Sequence, residues 1–185
     1  NNVDGAQMTL AVPEYLYESG IQSFADLDEN REQFEGEIYG FGAGSAASEI
    51  LHNAIDNDTW GLGDWQVVDT SEVGMLSAAR DAISREEPIV WVGWTPHWMF
   101  ARFDLKYLED PENVYGGAEQ IHTAVRQGLE DDMPEAYAIL DAFEWTPEQM
   151  GEVMLMNQED GSDPYENAKQ WVEDNQDVVA EWLDS

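Results

Sequence analysis

The chain has no cysteine among its 185 residues. That absence removes disulfide frameworks, thiolate metal sites and thiol nucleophiles together, and it leaves the redox compartment unread. Basic residues are almost as scarce. Seven Lys plus Arg stand against 40 Asp plus Glu, a formal net charge of −33 at pH 7. A surface of that sign repels phosphates instead of releasing their counterions, so nucleic acid is excluded as a partner. No apolar run approaches the roughly 20 residues that cross a bilayer. The opening stretch NNVDGAQMTLAVP has neither a basic n-region nor an apolar h-region, so a signal segment is expected to lie outside this sequence. The GxSxG elbow, the HExxH helix and any internal repeat of 20 to 50 residues are also missing.

What is present is 43% hydrophobic residues, enough for one large domain or two small lobes. The carboxylates are interleaved with Leu, Val, Trp and Met along the whole chain, with local density at EDDMPE, 130 to 135. That pattern reads as the solvated surface of a folded protein and not as an acidic tail. Self-repulsion on this scale weakens a compact state at low ionic strength, whereas at about 1 M salt the Debye length is only roughly 3 Å. A salt-rich habitat is therefore expected.

Along the chain, MTLAVP (8 to 13) predicts a strand closed by Pro13, and EIYGFGAG (37 to 44) a second strand running into a glycine-rich turn. Ala47, Ile50, Leu51, Ala54 and Ile55 then recur with helical spacing. WQVVDT (65 to 70) predicts a third strand, and Met75, Leu76, Ala79 and Ile83 the inner face of another helix. PIVWVGW (88 to 94) is apolar without alternation, as a strand buried on both faces of a parallel sheet reads. Beyond it the chain turns helical. Thr146-Pro147-Glu148-Gln149 is a capping box, Asp163-Pro164 repeats the cap-then-proline device, and Trp171, Val172, Val178, Val179 and Trp182 supply inward faces, with a break near Asn175. His52 and His122 fall on predicted helices in surface or capping roles. The fold class is α/β. With MTLAVP and VWVGW as crossing strands, 14–92 forms one α/β lobe, and 1–13 with 93–185 the remainder of another, a ligand sitting between lobes near strand ends.

The most unusual stretch is EPIVWVGWTPHWMF, 87 to 100, with Trp91, Trp94, His97 and Trp98 crowded around Pro96. Trp91 and Trp94 are three apart and point to opposite faces of a strand. Gly93 and Pro96 suggest a strand end between them, leaving Trp91 in the core and Trp94 facing a cleft. Indole faces carry negative quadrupole density, so they suit a quaternary ammonium, which has no N–H to donate. His97 can donate a ring N–H to a carboxylate at the ligand's other end. The competing reading is ordinary packing around a structural histidine. The turn GFGAGSAASE lacks Rossmann spacing and a P-loop lysine, but the backbone N–H groups of Gly42, Ala43 and Gly44 can hold an anion such as a carboxylate. DNDTWG (56 to 61) opens like a calcium loop but has Val67 where a bidentate Glu is required, so calcium is rejected. No cofactor and no metal are expected. Paired carboxylates for glycoside hydrolysis stay open among so many acids.

PIVWVGWTPHWMFARFDLKYLEDP resembles the signature of the glycine betaine/proline betaine substrate-binding proteins of ABC importers, the OpuAC/ProX type. TLAVPEYLYESGIQSFADL, GEIYGFGAG and FEWTPEQMGEVM with DPYENAKQWVEDNQDVVAEWL are similar to the same family in order and spacing. The resemblance implies a type II periplasmic-binding fold with two α/β lobes, an aromatic cage for the trimethylammonium and polar donors for the carboxylate. Trp94 matches the cage tryptophan, His97 lies in the turn that helps hold ligand, and Trp98 is adjacent. Two departures accompany it. The turn at Gly42, Ala43, Gly44 and Ser45 carries no aromatic where some members have a second cage tryptophan. Family chains also have a further N-terminal half-lobe, so this chain is expected to be a fragment, or to complete its first lobe with another polypeptide. The implied function is non-enzymatic, extracytoplasmic delivery of a betaine-type solute to a membrane permease. An acidic carbohydrate-active domain is the alternative.

Overall fold

The computed structural model describes residues 1 to 183. In chain order the elements are β1 (Val3–Pro13), α1 (Glu14–Glu18), α2 (Phe24–Glu29), β2 (Glu37–Phe41), α3 (Ala46–Asp56), β3 (Gln66–Thr70), α4 (Glu72–Ser84) and β4 (Trp91–Thr95). They continue with α5 (Trp98–Arg102), β5 (Leu105–Tyr107), β6 (Glu119–Ile121), α6 (Leu129–Asp132), α7 (Pro134–Ala142), α8 (Pro147–Met156), α9 (Pro164–Asp174) and α10 (Gln176–Leu183).

The chain divides into two compact units. The larger holds Met8–Trp94 and Phe103–Gly117; the smaller holds Asn1–Gln7, Thr95–Arg102 and the described chain from Ala118 onward. Residues 8 to 13 and 103 to 117 thus stand with the larger unit. The reason is strand pairing: Ala11, Val12 and Pro13 face Tyr107, Lys106 and Leu105 in an antiparallel ladder.

The larger unit is an α/β sheet in the order β3-β2-β4-β1-β5. β2 runs parallel to both β3 and β4, each crossover being made by a helix, α3 or α4. Central position explains composition. Trp91 and Val92 in β4 are fully buried, and so are Ile38 in β2 and Leu10 and Val12 in β1. Helix α3 lays Ala47, Leu51 and Ala54 onto the sheet, with Ile50 and Ile55 partly buried beside them. Met75, Leu76 and Ala79 do the same from α4.

In the smaller unit, β6 pairs antiparallel with the start of β1, with a bulge at Gly5. The four rings of Phe143, Trp145, Trp171 and Trp182 pack on one another, two pairs edge to face, one stacked and one tilted, and Trp182 Nε1 donates to the Glu144 carbonyl at 2.9 Å. The Thr146 capping box forms as its sequence predicts. Thr146 Oγ1 accepts from Gln149 N at 3.2 Å, and Gln149 Oε1 accepts from Thr146 N at 2.8 Å. Asp163 caps α9 by accepting from Tyr165 N, and the helix stops at Asn175.

Four local expectations are corrected. β1 begins at Val3 instead of Met8, because its polar start is recruited by β6. β4 spans Trp91 to Thr95, so no strand end separates Trp91 from Trp94. His122 follows β6 on exposed chain outside any helix, and Val172 lies on the exposed side of α9.

Candidate ligand-binding site

Parallel strands β2 and β4 lie side by side, and each carries an aromatic residue at or next to its C-terminal end. Phe41 closes β2, and Trp94 stands one residue before the end of β4. Their ring centroids are 4.4 Å apart with the planes tilted 34°. Both side chains are half-buried, in contrast to Trp91, which is fully enclosed three residues earlier on the opposite face. The gap between the two rings is too narrow for a cation. An ammonium sandwiched between them would hold the rings about 7 Å apart, two van der Waals contacts. The pair therefore forms one tilted stack, a single aromatic wall, and not the two sides of a box.

The chain leaves Phe41 directly into Gly42-Ala43-Gly44-Ser45. Gly42 has φ +65° and Gly44 φ +83°, and a Cβ built on Gly44 would meet no atom within 4 Å. Backbone conformation, not crowding, requires glycine there. Gly42 N donates to the Thr70 carbonyl at 2.7 Å, and Ser45 N to the Gly42 carbonyl at 2.8 Å. Nothing among the described residues accepts the N–H groups of Ala43 and Gly44, both exposed. Ser45 then caps α3, its Oγ accepting from Ser48 N at 3.2 Å.

His97 and Trp98 lie in the smaller unit, past the cis Thr95–Pro96 bond. His97 is 4% exposed, and its Nδ1 accepts from Met99 N at 3.1 Å. In the neutral imidazole this bond places the proton on Nε2, and it holds the ring against α5. Trp98, half-buried, packs its ring 5.2 Å from that of His97. Behind them Gly151 of α8 brings its backbone against the His97 carbonyl, where a Cβ would stand at 3.4 Å. Among the described residues no group of three or more His, Asp or Glu is placed to hold a metal ion.

A family described as the substrate-binding domain of the ABC-type glycine betaine transport system matches residues 1–174. The chain belongs to that family. It is 49% identical over 153 residues to the glycine betaine/carnitine transport binding protein GbuC of Listeria monocytogenes, a match covering 83% of this chain and 51% of the relative. The chain thus spans about half the length of that curated relative. Its fold is similar to lactococcal OpuAC solved in a closed conformation with glycine betaine (TM-score 0.77, 38% identity, 98% of this chain and 68% of that one). It is also similar to an ABC-transporter choline-binding protein solved with choline (TM-score 0.75, 34% identity, 99% and 64%). The mixed sheet flanked by helices is that of periplasmic-binding-protein-like domains. Nothing in these comparisons supports the carbohydrate-active alternative.

For a member of the glycine betaine-binding family, Phe41 is the residue the sequence does not single out. A phenylalanine ending a strand reads as core, and only the adjacency of β2 and β4 brings it against Trp94. The available signal was positional: an aromatic immediately before the glycine turn, where the turn itself has none.

Proposed function

We propose that this chain captures a quaternary-ammonium solute of the glycine betaine type and presents it, without covalent chemistry, to an ABC permease. The observation that carries the reading is the Phe41–Trp94 wall standing beside a glycine turn with two uncommitted N–H donors. A zwitterionic betaine divides along the same lines. Its methylated nitrogen has nothing to donate and is held by ring faces. Its carboxylate accepts hydrogen bonds and suits Ala43 and Gly44 at the head of α3. For His97 and Trp98, in the smaller unit, the support for a ligand role is the likeness of their turn to the family signature. The names of the relatives, glycine betaine, carnitine and choline, share the onium head and differ in the rest.

The setting follows from the same chemistry. Capture for import takes place outside the cytoplasm, and a chain of net charge −33 is suited to concentrated salt, where compatible solutes are needed. No helix of the described residues is long and apolar enough to cross a membrane. The complete binding unit would include a counterpart of the relatives' remaining length, on this polypeptide or on a second one. Calorimetric titration in about 2 M KCl, where charge is screened, tests the reading. Glycine betaine or choline should release heat with a one-site curve, and an oligosaccharide should not. Silence from every onium compound would overturn it.

A further inference from the structure

Behind the candidate site, Asp69 of β3 reaches across its neighbour to helix α3. Its Oδ1 accepts from Ser48 Oγ at 2.7 Å, and its Oδ2 lies 2.7 Å from His52 Nε2. Ser48 and His52 are four residues apart, one turn of the same helix, so a single carboxylate bridges the first two turns of α3. The route is open because Gly40 is paired with Asp69 in the β2–β3 register and has no side chain. A Cβ on Gly40 would stand 3.4 Å from Asp69 Oδ1 and 3.2 Å from Val67 Cγ1.

The bonds continue toward the aromatic wall. Ser48 N donates to Ser45 Oγ at 3.2 Å, and Ser45 Oγ donates to the Phe41 carbonyl at 3.0 Å. Thr70, next to Asp69, accepts from Gly42 N at 2.7 Å. Thr70 thereby holds the start of the glycine turn directly, and Asp69 acts on its end only through Ser48.

We infer that Asp69 is a positioning residue for the ligand site, fixing α3 and through it the Gly42–Ser45 turn and the Phe41 ring. The inference rests on the ligand reading above. Three features make the tether more than an incidental surface pair. Ser48 is 1% exposed, so its bond to Asp69 is shielded from competing water. The carboxylate uses both oxygens on one element. The chain of bonds ends on the wall residue itself. Ionisation of Asp69 is favoured by the Ser48 hydroxyl first and the His52 ring second, which hold its carboxyl below the usual carboxylate range.

The test compares Asp69→Ala, Asp69→Asn and Ser48→Ala in the full 185-residue chain, using hydrogen exchange and titration with glycine betaine. Asn keeps an acceptor for Ser48 and a donor for His52, and Ser48→Ala leaves β3 untouched. Asp69→Ala should speed exchange at residues 42 to 48 about tenfold and weaken glycine betaine binding about tenfold, as expected for loss of charge-assisted hydrogen bonds. Ser48→Ala should move both the same way by a smaller factor, and Asp69→Asn should restore both to within about threefold. Exchange in Asp69→Ala equal to wild type, faster exchange with unchanged affinity, or an Asn variant no better than Ala would each overturn the inference. A wild-type chain silent to glycine betaine would instead defeat the ligand reading, and the exchange data would still decide whether the tether holds the turn.

Discussion

Phe41 and Trp94, 53 positions apart in sequence, stack on each other because β2 and β4 are parallel neighbours. Trp94 is backed by a second ring. The Phe41→Ala variant should therefore weaken glycine betaine binding by roughly 2- to 30-fold without unfolding the chain, given about 0.5 to 2 kcal/mol per ring face. Phe41→Tyr should stay close to wild type. Fluorescence titration of both variants checks this.

Salt should stabilise the protein strongly. Ion pairs such as Lys106–Glu14 at 2.9 Å and Arg126–Asp132 at 2.7 Å are solvent-exposed, so screening costs little attraction while it removes much repulsion. The thermal midpoint should rise by many degrees between about 0.1 M and about 2 M KCl. A midpoint that is flat or falls over that range would contradict an electrostatic basis for the acidic surface.

Acid should unfold it by a defined route. Asp69 is depressed by Ser48 and His52. For Asp26 burial opposes ionisation, but bonds from Ser23 Oγ and from the N–H groups of Ser23 and Gln22 outweigh it and lower its pKa as well. A carboxylate whose folded value is depressed contributes stability above its unfolded value, about 3.9, and that stability is lost as pH falls through the folded one. Melting curves at constant high salt should be nearly level above about pH 5 and drop steeply below about pH 4. Asp69→Ala should show a shallower drop.

Gly151 should tolerate Ala and reject Leu. A Cβ there touches the His97 carbonyl at 3.4 Å and Ala101 at 3.8 Å. Ala also gains up to about 1 kcal/mol of helix propensity, whereas a longer chain must displace α5 at a cost of about 1 to 3 kcal/mol. Thermal melts of the two variants measure the difference. In the same assay Thr146→Ala should lower stability by about 1 kcal/mol through loss of the α8 cap, a shift of about 2 to 4 °C for a domain of this size.

How much of this was legible in the sequence depended on the range of the interaction. Caps, breaks and helix stripes are local, and Thr146, Asp163, Asn175 and the α3 face are found where the sequence predicts them. Gly93 resembles a stop in the sequence, but β4 continues through it to Thr95. Strand adjacency is not local at all, so the partner of Trp94 was out of reach. Tryptophan content alone was a poor guide, since Trp145, Trp171 and Trp182 form a core of their own. Asp69 is one acid among many in the sequence, and what sets it apart is its pairing with Gly40, a strand contact that no local pattern encodes.

The central claim is that the Trp94 face recognises a methylated ammonium. Titration of the wild-type chain and of Trp94→Ala and Trp94→Phe with glycine betaine, followed by calorimetry in about 2 M KCl, tests it most directly. The account predicts saturable binding by wild type, weakening by at least about tenfold in the Ala variant, and partial recovery in Phe, whose face is smaller but still electron-rich. Equal affinity in all three proteins would contradict it.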